Sequence, residues 1–140
     1  MGWVAGPEAL IEDIMIHRDY DTISVGMIDD HLAALALEHR DKILARSHAI
    51  TRGNLAILSD WVHAEPLIDW VKPSSGTTAL LKYDFPMPSR DFCVALLKET
   101  GVMLTPGSAL GMEGYLRIGY ANNPEILREG LARLSGFLRG

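Results

Sequence analysis

The chain has 140 residues, of which 48% are hydrophobic and 22% charged, and a formal net charge of −5. That length suits one ordinary domain, or a domain and a piece of another, and the composition excludes disordered, collagenous and disulfide-built classes. No run of about 18 apolar residues exists, so a membrane span is not expected, and 13 scattered basic residues against 18 acidic ones argue against a nucleic-acid partner.

In chain order, Trp3-Val4-Ala5 reads as the end of a buried strand. Gly6-Pro7 turns the chain, and proline suits the first position of the helix expected over 8–18, where Leu10, Ile11, Ile14 and Met15 recur at helical spacing. A polar loop covers 19–26. Residues 27–64 are helical in pattern almost throughout, with Ile28, Leu32, Leu35, Ile43, Ile50, Ile57 and Trp61 in one stripe. Unbroken, such a helix would span roughly 57 Å, against a radius of gyration of about 14 Å for a compact domain of this length. It is therefore expected to break, near His39 or Gly53, or to bridge two bodies.

Pro66 and Pro73 bracket a short link around Trp70-Val71, and Ser74-Ser75-Gly76 is a turn signal. A strand is expected over 79–85, then a helix from an N-capping Ser89 to Thr100 with Gly101 as its stop. Val102-Met103-Leu104 reads as a short strand, 106–114 as a glycine-rich loop and 115–121 as an alternating strand. Asn123-Pro124-Glu125 gives a cap, a first-position proline and an acidic first turn for a last helix carrying Leu127, Leu131, Leu134 and Leu138. The second half thus reads β-α-β-β-α. The fold class is α/β of the α+β type: a small antiparallel or mixed sheet with helices on one face, preceded by a long helical segment.

Single chemical groups are unpromising. Cys93, the one cysteine, sits in an apolar helical stretch and reads as core rather than nucleophile; with no disulfide and no signal-peptide pattern, the cytoplasm is the default compartment. His17, His31, His39, His48 and His63 have no metal-pair spacing, so no metal site is expected. Asp29 and Asp30 read as first-turn acids of a helix.

The block V-M-L-T-P-G-S-A-L-G-M-E-G-Y-L-R-I-G-Y-A, residues 102–121, is different. Its glycines lack the spacing of a P-loop or a dinucleotide fingerprint. Its second strand puts Leu116 and Ile118 on one face and Tyr115, Arg117 and Gly119 on the other. A strand arginine beside a glycine offers a planar fork suited to a carboxylate or phosphate, with room for a ligand. Residue chemistry alone favours a surface arginine or half of an ion pair over a ligand-binding one.

Thr105-Pro106-Gly107-Ser108-Ala109-Leu110-Gly111 followed by Gly114-Tyr115-Leu116-Arg117-Ile118-Gly119-Tyr120-Ala121 resembles class I/II aminotransferases, the fold-type I pyridoxal phosphate enzymes. The closing helix, the Gly2–Pro7 segment and Pro73-Ser74-Ser75-Gly76 look like other parts of that family, in order, over nearly the whole chain. The resemblance implies that Arg117 binds the substrate's α-carboxylate and so orients its Cα–H across the cofactor plane. It implies no catalytic, cofactor-binding or metal residue in this chain. The family's Schiff-base lysine has a context that Lys42, Lys72, Lys82 and Lys98 all lack, and Met1 stands where a phosphate-holding arginine is expected.

The expectation is therefore a C-terminal fragment of a pyridoxal-phosphate-dependent aminotransferase, inactive alone. Its parent would be a homodimer moving an amino group between an amino acid and a 2-oxo acid, with the cofactor as electron sink. Residues 1–26 would be a remnant of the large domain, 27–65 an interdomain helix and 66–140 the small domain. Leu110 and Thr77-Thr78 stand where aromatic residues are common in the family. Two alternatives remain: a related lyase, decarboxylase or synthase, and a stand-alone, non-catalytic module that binds a carboxylate or a partner.

Overall fold

The computed structural model describes residues 2–140, and Met1 lies outside them. The chain divides into two compact units, one up to Ala45 and one from Arg46 to Gly140. The first holds α1 (Glu8–Asp21), α2 (Met27–Glu38) and the opening turns of α3 (Arg40–Ala64). No residue of α1 or α2 is buried. The strand end expected at Trp3–Ala5 is absent: these residues have no regular structure, and Trp3 is 70% exposed. A strand needs a neighbour for its backbone groups, and among the described residues none pairs with this segment.

The expected break in the long helical segment falls at His39. Its φ of −102° and ψ of 18° leave the helical region, while its N–H still reaches the Leu35 carbonyl at 3.2 Å. Gly53 does not break α3, which runs unbroken from Arg40 to Ala64. A glycine costs a helix interior only about 1 kcal/mol relative to alanine. Burial of Asn54, Leu58, Ser59 and Val62 just after it more than offsets that.

The second unit is built on four strands: β1 (Ile68–Trp70), β2 (Thr78–Tyr83), β3 (Thr105–Pro106) and β4 (Tyr115–Gly119). They lie in the order β1-β2-β4-β3, and every neighbouring pair is antiparallel. The sheet is thus antiparallel, not mixed. β1, which the prolines at 66 and 73 obscured, pairs Ile68 with Tyr83 and Trp70 with Leu81. Residues 102–104 form no strand; pairing begins one residue later, where Thr105 faces Arg117.

Helices α4 (Ser89–Thr100) and α5 (Pro124–Arg139) supply the other layer. Their Phe92, Leu96, Leu131 and Leu134 share one core with Ala79, Leu81, Leu116 and Ile118 of the sheet and Leu58 and Val62 of α3. Gly101 ends α4 at φ 74°, a left-handed turn that glycine adopts without a Cβ penalty. Asn123 caps α5 by accepting the Glu125 N–H at 2.8 Å. Ser89 is the first residue of α4 rather than its cap, which is Pro88.

Buried polar groups are paired. The Asn54 amide donates to the carbonyls of Tyr120 and Asn122, each at 2.7 Å. Ser135 donates to the buried Glu65 carboxylate at 2.6 Å and accepts the Trp61 indole N–H at 2.9 Å; Arg139 donates to the same carboxylate oxygen at 3.2 Å. Cys93 is buried, and that burial pushes its thiol up to about 11, so it is a core residue and a poor nucleophile. No helix among the described residues is long and apolar enough to cross a membrane.

Candidate functional site

Alternation along β4 buries Leu116 and Ile118 and leaves Arg117 exposed on the opposite face. The register places Leu80 of β2 and Thr105 of β3 on either side of it. Arg117 Nη2 donates to the Thr105 hydroxyl at 3.1 Å. No carboxylate lies within ion-pair distance of it among the described residues. One edge of the guanidinium is therefore steadied by a neutral acceptor, and the rest of the fork is available to an anion.

Around it is an open concavity of about 530 Å³. Val71, Thr78, Leu80, Leu110, Met112 and Tyr115 line it together with Arg117. Its wall is mainly apolar, with Arg117 the one cation among its lining residues, which suits a small molecule carrying one carboxylate and an apolar side chain. Leu110 and Thr78, where the sequence departs from the family's aromatic residues, both lie on this wall; Thr77 instead uses its carbonyl to accept the Tyr120 N–H at 2.9 Å.

No lysine lines the concavity. Lys72 donates to Ser59 at 3.2 Å, Lys98 lies on α4, and Lys82 is on β2 opposite Tyr115. The residues present therefore do not supply a covalent anchor for pyridoxal phosphate.

The loop that carries Leu110 and Met112 is tightly built. Gly107 opens a 3-10 turn (Gly107–Leu110), and a Cβ there would lie 1.9 Å from the Met112 carbonyl oxygen and 2.5 Å from that of Tyr115. Only glycine fits that approach. Glu113 closes the loop by accepting the Ser89 N–H at 2.6 Å and the Ser89 hydroxyl at 2.9 Å, while Ser89 Oγ accepts the Ser108 N–H at 3.1 Å. These donors, the Ser89 N–H first, hold the Glu113 carboxyl below its ordinary range. No local motif marks this role for Glu113, because its partner Ser89 lies 24 residues upstream. Thr105 was likewise missed, since its partnership with Arg117 depends on the β3–β4 register.

No protein-family model matches the chain. It is 43% identical to a pyridoxal-phosphate-dependent aminotransferase from Streptococcus suis, with a TM-score of 0.96 over 99% of this chain and 37% of that one. The pyridoxal-phosphate-dependent cyclase OrfR superposes with a TM-score of 0.89 at 31% identity, covering 96% of this chain and 37% of the cyclase. Capreomycidine synthase from Streptomyces vinaceus is 32% identical over 136 residues, which are 96% of this chain and 35% of the synthase. The chain thus spans about a third of the length of the proteins it matches. Over its full length it matches the C-terminal part of a fold-type I pyridoxal-phosphate-dependent aminotransferase.

Proposed function

We propose that the chain is the substrate-carboxylate-binding part of a pyridoxal-phosphate-dependent aminotransferase that moves an amino group between an amino acid and a 2-oxo acid. The observation that carries this reading is Arg117: exposed, without a carboxylate partner among the described residues, steadied by Thr105 and set in a concavity of substrate size. Its fork holds the α-carboxylate, and two-point binding orients the rest of the molecule as a single charge would not. In this reading 1–26 is a piece of the large domain, 27–65 the interdomain helix and 66–140 the small domain of a cytoplasmic homodimer. The cofactor anchor belongs to residues outside this chain, so the chain alone turns nothing over.

The test is Arg117→Lys in the holoenzyme that carries this chain. Loss of the fork with retention of the charge lowers kcat/KM for every amino donor by about ten- to a hundredfold, the worth of a charge-assisted hydrogen bond. Unchanged kcat/KM removes the reading, as does turnover by the 140-residue chain supplied with pyridoxal phosphate and amino donors. A second reading, a related lyase, decarboxylase or synthase, draws support from the likeness to a cyclase and a synthase. Product analysis separates the two: an aminotransferase returns a 2-oxo acid from its donor.

A further inference from the structure

The concavity has two kinds of wall. β2 and β4 give the part that bears Thr78, Leu80, Tyr115 and Arg117, and strand hydrogen bonds hold it in register. Leu110 and Met112 come from the loop between β3 and β4, outside the paired strand residues; β2 reaches that loop at its far end, where the Tyr83 N–H donates to the Gly114 carbonyl at 3.1 Å. What holds the loop is a short chain of contacts. Met112 N–H returns to the Gly107 carbonyl at 2.8 Å, Ser108 N–H reaches Ser89 Oγ, and Glu113 takes both donors of Ser89. Ser89 is fully buried at the start of α4 and is therefore a fixed post. Glu113 is exposed, yet its two oxygens are committed to that post.

We propose that Glu113 is a positioning residue: by its double hydrogen bond to Ser89 it anchors the 107–114 loop, sets where Leu110 and Met112 stand, and so decides which substrate side chains the concavity admits. This inference rests on the reading of Arg117 as the carboxylate site. It divides the labour: Arg117 takes the part common to all amino acids, and the loop takes the part that differs.

The experiment uses Glu113→Gln, which keeps the length and removes the charge, and Ser89→Ala, which removes the post's hydroxyl. In the 140-residue chain, hydrogen exchange at the Ser108 and Met112 amides becomes about fivefold faster in either variant, the factor carried by one ordinary hydrogen bond. Exchange at Leu96 and Leu134 in the core stays the same. In the holoenzyme, the ratio of kcat/KM for a bulky to a small apolar amino donor shifts by at least about tenfold, the discrimination of an apolar pocket. Arg117→Lys, in contrast, lowers all donors by a common factor.

Unchanged loop exchange in Glu113→Gln overturns the proposal. So does a core that loosens with the loop, or an unchanged selectivity ratio. If Ser89→Ala does not fold, the Glu113→Gln result decides alone. An effective Arg117→Lys beside a neutral Glu113→Gln sinks the anchor and spares the carboxylate site; a neutral Arg117→Lys sinks both.

Discussion

Helices α2 and α5 both carry leucines at helical spacing, but they differ in what covers them. In α5, Leu127, Leu131, Leu134 and Leu138 are all buried. In α2, Leu32 and Leu35 remain exposed, and no residue of the helix is buried. An apolar stripe shows that a face exists to be covered; whether it is covered depends on the elements packed around it. For α5 those are the sheet and α4. Within its own unit α2 finds nothing equivalent.

Leu134 is 1% exposed and Leu32 57%. Leu134→Ala should cost about 2–5 kcal/mol, and Leu32→Ala less than about 0.5 kcal/mol, both read from urea unfolding of the 140-residue chain. Equal losses would mean that the stripe of α2 is covered after all.

Next in size is Gly107→Ala. The methyl group meets backbone, not a flexible side-chain end, so the loop must shift, at about 1–3 kcal/mol. A thermal melt reads the loss, and chemical-shift changes confined to 107–115 locate it. Smaller and opposite in sign is Gly53→Ala in α3. A Cβ there meets nothing within 4 Å, so the substitution should raise stability by about 0.5–1 kcal/mol. A loss instead would show that Gly53 has a role other than helix filler.

The faintest signal is the pH dependence from Glu113. Its carboxyl is held below the ordinary value of 4.5, chiefly by the Ser89 N–H. A carboxyl with a lowered native value lends stability that is complete above its ordinary value and is lost as pH falls through the lowered one. The wild-type chain should therefore lose more stability than Glu113→Gln as pH drops below about 4.5. Urea midpoints measured against pH would show parallel curves if Glu113 did not engage Ser89.

Local chemistry was the legible part of this sequence. Asn123-Pro124-Glu125 announced α5, Gly101 the end of α4, and the alternation of 115–119 put Arg117 opposite the core. Long-range pairing was not legible. Trp3–Ala5 has strand composition but no partner among the described residues, whereas Ile68–Trp70, flanked by prolines, gains one in β2. The sequence offered two breakpoints in the long helix and could not choose between them, because burial after Gly53 decides the matter. At the site, the arginine was visible, but Thr105, which steadies it, and Glu113, which accepts both donors of Ser89, were not. Both act across 12 or more residues.

The antiparallel register of β2 and β4 also constrains how the chain can change by insertion and deletion. Leu80 stands opposite Arg117, and Leu81 opposite Leu116. Because strand side chains alternate with period two, a slip by one residue would carry the guanidinium into the core and Leu116 and Ile118 into solvent. Surface loops ordinarily tolerate changes of length. The loop at 107–114 feeds β4 directly, so a single residue gained or lost there risks inverting both faces of the strand. The strand keeps its faces only where the loop itself absorbs the change, as a bulge does.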